Sequence, residues 1–322
     1  MSNSTENREV GMIGGLRRVY DASFAGDAVY ADTLPDMQNT ATSASGIPVR
    51  IQEVGSSNFR VPVRVDFGLG DPISVEARVF GGVSLDRSKK GINMSRIIRI
   101  FYDFRDEVFG FSILRSILER YLSELDTDTA KLRLKFAVPM MQRSLRSGLD
   151  GYQYYEAVVS MQLGKDGFEE RRMDLDFVYS SACPCSAELA EHAREGREIY
   201  SVPHSQRSKA RVSVTVDPNG APFGLRELRD LCARALSTET QVMVRRLDEQ
   251  AFAELNGSHL KFVEDAARLL YRELEAEPAI LDFQAACAHL ESLHSHDAVA
   301  TIFKGISGGF DGRDVDYDRL VC

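Results

Sequence analysis

Apolar residues alternate with polar or turn residues at Val61, Val63, Val65 and Phe67, and again at Ile73, Val75, Ala77 and Val79. A period of two marks strands with one buried face. The Gly68-Leu69-Gly70-Asp71-Pro72 cluster between them is a turn, so the pair reads as an antiparallel hairpin. From Met94 the period lengthens. Ile97, Ile98, Phe101 and Phe104, then Ile113, Leu114, Ile117, Leu118 and Tyr121, recur at helical spacing on either side of Gly110, predicting two helices. Alternation returns at Leu132, Leu134, Phe136 and Val138 and, less regularly, at Tyr155, Val158 and Met161, ahead of the turn Gly164-Lys165-Asp166-Gly167. The order is ββααββ.

The same order recurs in the second half, although no residue-level repeat is visible. Met173, Leu175 and Phe177 alternate, as do Val212, Val214 and Val216. Residues 225–249 read as helical, Phe262, Val263, Ala266, Leu269 and Leu270 mark a second helix that ends before Pro278, and 280–290 and 298–303 read as closing strands. The expected architecture is α+β with mostly antiparallel sheet: two tandem ββααββ units, residues 49–165 and 166–322, split near Gly164. Residues 1–48, rich in Ser, Thr, Asn, Ala and Gly, read as a mobile arm with one short ordered piece around 15–20.

Composition narrows the partners. The 322 residues are 43% hydrophobic and carry a formal net charge of −9, which argues against the basic footprint that holds nucleic acid. An anionic substrate therefore needs a local basic patch. No apolar run approaches the roughly 18 to 20 residues of a membrane span, and the N-terminus lacks the order of a secretory signal, so a cytoplasmic protein with no membrane partner is expected. The five cysteines, Cys183, Cys185, Cys232, Cys287 and Cys322, form a poor disulfide framework.

All six histidines and all five cysteines fall after residue 180, so the first unit alone cannot supply a soft-ligand metal site. Cys183-Pro184-Cys185 follows a strand and opens a helix, where backbone N–H groups and the helix dipole favour thiolate. On spacing alone the pair reads equally as two buried small hydrophobes. His204-Ser205-Gln206-Arg207-Ser208 puts an imidazole, an amide and a guanidinium in one loop, or is solvated surface. Arg245-Arg246-Leu247-Asp248-Glu249, at the end of a helical stretch, is either a solvated charge run or part of a site. Glu264-Asp265 lies beside core positions, so one carboxylate is expected to be partly buried and to need a partner. Glu291-Ser292-Leu293-His294-Ser295-His296-Asp297 packs four titratable groups into one turn, and histidine is the proton carrier that works near neutral pH.

Together these segments resemble the type IB GTP cyclohydrolase family, whose pattern runs Lys-Gly-x-His-Met-Ser-Arg, Cys-Pro-Cys-Ser, His-x-Gln-Arg-Ser, Lys-Arg-x-Asp-Glu, Phe-Val-Glu-Asp and Glu-Ser-x-His-x-His-Asp-Ala. They stand here in the same order as residues 90–96, 183–186, 204–208, 245–249, 262–265 and 291–298. The resemblance covers 54–303 and leaves the arm unmatched. It implies the tunnelling fold, in which ββααββ units assemble into an oligomeric barrel, and a homotetramer with active sites between subunits.

By position, the resemblance makes Cys183, His204 and Glu249 the ligands of one divalent metal, zinc, iron or manganese, with a coordination position left for water. It makes Glu264 the guanine anchor, Glu291, His294, His296 and Cys185 the catalytic group, and Lys90, Ser95, Arg96, Gln206 and Arg207 contacts to the rest of GTP. The implied reaction is hydrolysis at C8 of guanine, release of formate and ring closure to 7,8-dihydroneopterin triphosphate, a first step towards folate, pterin or deazaguanine synthesis. There are departures. Asn93 stands for the usual histidine, Ala187 for a common lysine, Arg245 for lysine, and the loop between Cys185 and His204 is long. They keep open a paralogue that opens the ring to a different product, such as a cyclic-phosphate pterin, or a non-catalytic purine-binding protein.

Overall fold

A computed structural model describes residues 12–13, 16–17, 19–35, 47–313 and 315–321. In the arm, β1 (Met12–Ile13) pairs with β2 (Leu16–Arg17), and α1 (Ala28–Asp32) is capped by the Asp27 carboxylate, which accepts from Tyr30 N at 2.8 Å. The ordered piece expected around 15–20 and the tail residue Cys322 lie partly or wholly outside the described residues.

The first half runs β3 (Ile51–Val65), β4 (Ile73–Leu85), α2 (Met94–Asp103), β5 (Val108–Phe109), α3 (Phe111–Glu124), β6 (Thr129–Arg143) and β7 (Asp150–Gly164). The second runs β8 (Glu169–Ala182), α4 (Pro184–Arg197), β9 (Ser205–Val216), α5 (Leu225–Leu236), α6 (Arg246–Ser258), α7 (Val263–Glu275), β10 (Ile280–His289) and β11 (Ala298–Phe303). The strand-helix order is the expected one, with the helix expected after Cys183 present as α4 and with β5 and α6 added. β3 to β11 form one nine-stranded sheet in the order β11-β10-β9-β8-β7-β6-β4-β3-β5, antiparallel except for β3 with β5. This is the α+β architecture expected.

The alternation that betrays the strands arises because one sheet face is buried under helices. Leu132, Leu134, Phe136 and Val138 on β6 meet Leu114, Ile117 and Leu118 of α3, and Val212 and Val214 on β9 share the same core with Leu228 and Leu231 of α5. On β7 the buried set is Tyr155, Ala157, Val159, Met161 and Leu163. Val158 therefore faces the other side of the sheet, which explains the irregular period.

The helix expected over 225–249 is broken. Ser237 adopts a left-handed conformation, φ 61°, and residues 238–240 run as a short extended segment beside β8, where the Thr238 hydroxyl donates to Ser180 O at 2.6 Å and Tyr179 bridges Glu239. The β-branched threonines suit extended backbone. The Arg245–Glu249 motif consequently opens α6 instead of closing α5.

The other sheet face is polar. There Arg211 forms a two-pronged ion pair with Asp176, at 2.7 and 2.8 Å, and the segment after β11 folds across it. The buried Asp282 carboxylate accepts from Gly305 N (3.1 Å) and Phe310 N (2.7 Å), Phe310 lies under the Arg172 guanidinium, and Leu320 packs on Ala286 and Ala288. No helix among the described residues is long and apolar enough to cross a membrane.

Strand registers define two ends of the sheet. Val83 pairs with Ala130, Thr129 with Gly164, Leu163 with Glu169 and Ile280 with Val216 at one end. Arg143 pairs with Asp150, Ala182 with Ser205 and Ser208 with His289 at the other. At about 3.3 Å per residue, the twelve residues of β9 put these ends about 40 Å apart.

Candidate functional site

The strand end marked by Ala182 and Ser205 gathers most of the chemistry. Cys183 leaves β8 as the N-cap of α4, with Pro184 at the first helical position, where a missing N–H costs nothing. Its own N–H donates to His204 O at 3.2 Å, so the last rung of the β8–β9 ladder sets the two residues side by side. Ser186 on the first turn accepts from His204 N at 3.2 Å. Cys183 is half-buried and Cys185 exposed.

His204 is 14% exposed at its side chain, and its Nδ1 lies 3.0 Å from Gln206 Oε1 and 3.3 Å from Glu291 Oε2. The contact to Glu291 follows from register: β10 pairs His289 with Ser208, and two more residues of chain bring Glu291 beside Gln206. Ser205 to Ser208 belong to β9, so the expected loop is a strand end, and Gln206 is buried while Arg207 points outward. Gln206 Nε2 donates to the buried Ser181 Oγ at 2.7 Å, and Ser181 Oγ sits 2.8 Å from Ser208 Oγ.

A cleft of about 690 Å³ opens beside this strand end, with Ser205, Gln206 and Arg207 on one wall and Glu249, Phe252 and Asn256 of α6 on the other. Glu249 is exposed there. Its neighbour Asp248 is buried and accepts from Arg146 N (2.8 Å), Ser147 N (2.9 Å) and Arg245 N (2.8 Å), with a further short contact from the Ser147 hydroxyl. That hydroxyl, followed by the backbone donors, holds the Asp248 carboxyl well below the usual carboxylate range.

Of the Glu264-Asp265 pair, in which one carboxylate was expected to be partly buried, Asp265 is the half-buried one and Glu264 is exposed on the first turn of α7. The apolar stripe Val263, Ala266, Ala267 and Leu270 turns inward and carries Glu264 outward, while Asp265 caps the helix by accepting from Phe262 N at 3.0 Å. α7 begins at the same end of the sheet, since Lys261 N donates to Ala182 O at 3.2 Å. His294 and His296 are exposed in the β10–β11 turn, with rings stacked 4.8 Å apart.

Lys90, Ser95 and Arg96 are elsewhere. They follow Leu85, at the opposite end of the sheet: Lys90 is exposed, Ser95 Oγ donates to Asn93 Oδ1 at 2.7 Å, and Arg96 Nη1 donates to Glu124 O at 2.9 Å. Asn93 caps α2, accepting from Arg96 N at 3.2 Å, which gives this asparagine a local role of its own.

The donor chemistry at the Cys183 end suits a divalent metal. A cysteine at a helix N-terminus adjoins a histidine whose Nδ1 is already engaged, leaving Nε2 available. The third donor is not assembled with them: among the described residues no group of three His, Cys, Asp or Glu stands close enough to hold an ion, and Glu249 lies across the cleft.

Sequence reasoning missed two buried titratable groups nearby. Lys261, 4% exposed, donates to His259 O (2.6 Å) and Thr238 Oγ1 (3.2 Å), and burial pulls its ammonium down to about 8. His289, 2% exposed, shares a 2.9 Å hydrogen bond with the Tyr179 hydroxyl, and burial, followed by the Lys261 charge, pulls it down to about 4. Their only sequence signal was a titratable residue inside an apolar stretch.

Residues 34–300 match the family model described as type I GTP cyclohydrolase folE2. The chain belongs to that family. It is 48% identical over 291 residues to GTP cyclohydrolase FolE2 of Roseobacter denitrificans, covering 90% of this chain and 79% of that protein. It is also 48% identical over 291 residues to GTP cyclohydrolase FolE2 of Paracoccus denitrificans, covering 90% of each. In fold it resembles the crystal structure of uricase from Arthrobacter globiformis, with a TM-score of 0.50 at 8% identity over 82% of this chain and 96% of that one. At that identity the likeness speaks to the tunnelling fold alone. For a member of the GTP cyclohydrolase FolE2 family, the six ordered motifs thus divide between two ends of one sheet.

Proposed function

We propose that the protein is a GTP cyclohydrolase that converts GTP and water to 7,8-dihydroneopterin triphosphate and formate in the cytoplasm, as a first step towards folate. The observation that carries this reading is the convergence of Cys183, His204 and Glu291 at one strand end, in a chain 48% identical to GTP cyclohydrolases over nine-tenths of its length.

Cys183, His204 and Glu249 would hold one divalent cation, with zinc, iron and manganese all compatible with a thiolate, imidazole and carboxylate set. When bound, such a cation supplies Lewis acidity that makes water a better nucleophile near neutral pH. Glu264, free at a helix N-terminus, is suited to accept from the guanine ring N–H and exocyclic amine, a two-pronged fit for a carboxylate. His294 and His296, exposed in the β10–β11 turn, would move protons during ring opening, together with Glu291 and Cys185. Arg207 offers positive charge at the cleft mouth.

Lys90, Ser95 and Arg96 cannot reach the cleft of their own chain, because the sheet separates them by about 40 Å. A triphosphate contact from these residues requires a second copy, which supports a homotetramer with sites between subunits. Asn93 is accounted for by its capping role, so its replacement of histidine does not by itself favour an altered product.

The test is to strip the purified protein of metal, resupply Mn²⁺, Fe²⁺ or Zn²⁺ separately, and follow formate and oxidised-pterin fluorescence with GTP. Formate with a fluorescent triphosphate pterin supports the reading. Formate without it, or a cyclic-phosphate pterin as sole product, replaces it with a divergent ring-opening enzyme.

A further inference from the structure

The side chain of Gln206 is buried, 9% exposed, and sits between His204 and Ser181. We propose that Gln206 is a positioning residue that fixes the tautomer and orientation of the His204 ring, and is not a contact to the substrate. The inference rests on the reading of His204 as a metal ligand and deepens it.

The tautomer follows from how the Gln206 amide is held. Its Nε2 donates to Ser181 Oγ at 2.7 Å, which turns its Oε1 to His204 Nδ1 at 3.0 Å. A carbonyl oxygen can only accept. Nδ1 therefore carries the hydrogen, and Glu291 Oε2, 3.3 Å away, lies on the same side of the ring. Ser181 Oγ is itself held by Ser208 Oγ at 2.8 Å. Ser181 and Ser208 are both fully buried, so the far end of the chain is shielded from water, and Ser181 and Gln206 are direct partners in the β8–β9 ladder.

A neutral imidazole with its hydrogen on Nδ1 has its lone pair on Nε2. The relay thus selects the one nitrogen that can bind a cation. Of the two acceptors on Nδ1, Gln206 is the closer and is locked by a partner of its own. The spacing His-x-Gln is what a strand demands for this, since residues two apart share a face.

The test uses the full-length protein, metal-free, with histidine-ring ¹⁵N–¹H NMR at a pH where free imidazole is neutral, and the His204 signals identified by their loss in His204→Asn. The wild type is expected to show the Nδ1–H pattern; an Nε2–H pattern overturns the proposal outright. Gln206→Leu is expected to lose that single pattern, to a second tautomer or to exchange broadening, and to weaken Zn²⁺ binding about 10- to 100-fold while KM for GTP stays within about twofold at saturating metal. Gln206→Glu keeps an acceptor facing Nδ1 and should restore the pattern and most of the Zn²⁺ affinity. Ser181→Ala, a milder change that frees the Gln206 amide to turn, should move both readouts in the same direction by a smaller factor. Wild-type pattern and Zn²⁺ affinity in Gln206→Leu, with a raised KM, would mean a substrate contact instead. The NMR readout needs no metal, so a wild type that shows the Nδ1–H pattern but takes up no Zn²⁺ sinks the metal reading and upholds the role of Gln206.

Discussion

Asp248 accepts the backbone N–H of Ser147 at 2.9 Å, and this contact ties the first turn of α6 to the β6–β7 hairpin. The carboxylate receives four N–H and O–H donors in all, so it is a structural anchor that aims the next residue, Glu249, into the cleft. Its folded pKa is depressed, the Ser147 hydroxyl being the largest cause. A depressed carboxylate contributes stability above its unfolded pKa, about 3.9, and loses it as pH falls towards the folded value. Asp248→Asn should therefore lower Tm at neutral pH and flatten the acid limb of Tm below about pH 4. An unchanged acid limb would rule out Asp248 as a contributor.

The pair Tyr179 and His289 sets a second pH dependence. His289 is held at about 4 in the fold against about 6.5 unfolded. As pH falls through 6.5 the unfolded chain takes up a proton that the folded chain refuses until about 4, so stability is lost across that window and is level below it. The span corresponds to about 3 kcal/mol for a group this buried. His289→Gln keeps a partner for the Tyr179 hydroxyl and should remove that slope from urea-unfolding free energies measured between pH 6.5 and 4; an equal slope in both proteins would refute the assignment.

Gly309 leaves no room for a side chain. A Cβ there would stand 1.9 Å from Asp282 Oδ2, the buried oxygen that holds Phe310 N. Gly309→Ala should break the latch, cost about 2 kcal/mol, and expose the segment after Phe303 to limited proteolysis while the sheet survives. Wild-type resistance to protease would show that the segment is not held through Asp282.

Thiol reactivity should separate the cysteines. Cys232 and Cys287 are fully buried; burial raises both thiols, Cys287 to about 12, so neither offers thiolate near neutral pH. Among the described cysteines, exposed Cys185 should be alkylated first by iodoacetamide, and half-buried Cys183 should become protected when Zn²⁺ is added. Labelling of Cys183 that is indifferent to Zn²⁺ would remove it from the ligand set.

Strands were legible where one face is covered: Leu132 to Val138 and Val212 to Val216 alternate because every second side chain enters the core. The break between α5 and α6 was not, because the segment around Thr238 is fixed by a long-range pairing with Ser180 and Tyr179, which no local period reports. The same holds for the site. Cys183 and His204 could be singled out by residue type, but that they share a ladder rung, that Glu291 joins His204, and that Gln206 turns inward are all consequences of register. Which of Glu264 and Asp265 is half-buried was not legible, because helical phase decides it: one position's rotation about the axis separates the half-buried Asp265 from the exposed Glu264.

The separation of Arg96 from Cys183 yields the sharpest test of the assembly. Both are needed for turnover in the proposed reading, yet they lie at opposite ends of one sheet, about 40 Å apart, so each complete site must draw Arg96 from one chain and Cys183 from another. Arg96→Ala and Cys183→Ala homo-oligomers should each be inactive, since every site then lacks one group. Mixed, unfolded together and reassembled at equal amounts, random pairing gives about one site in four built from the two intact halves, and activity should return to about a quarter of the wild type. No recovery, with mixed oligomers present by native mass spectrometry, would mean that Arg96 serves no site across the interface.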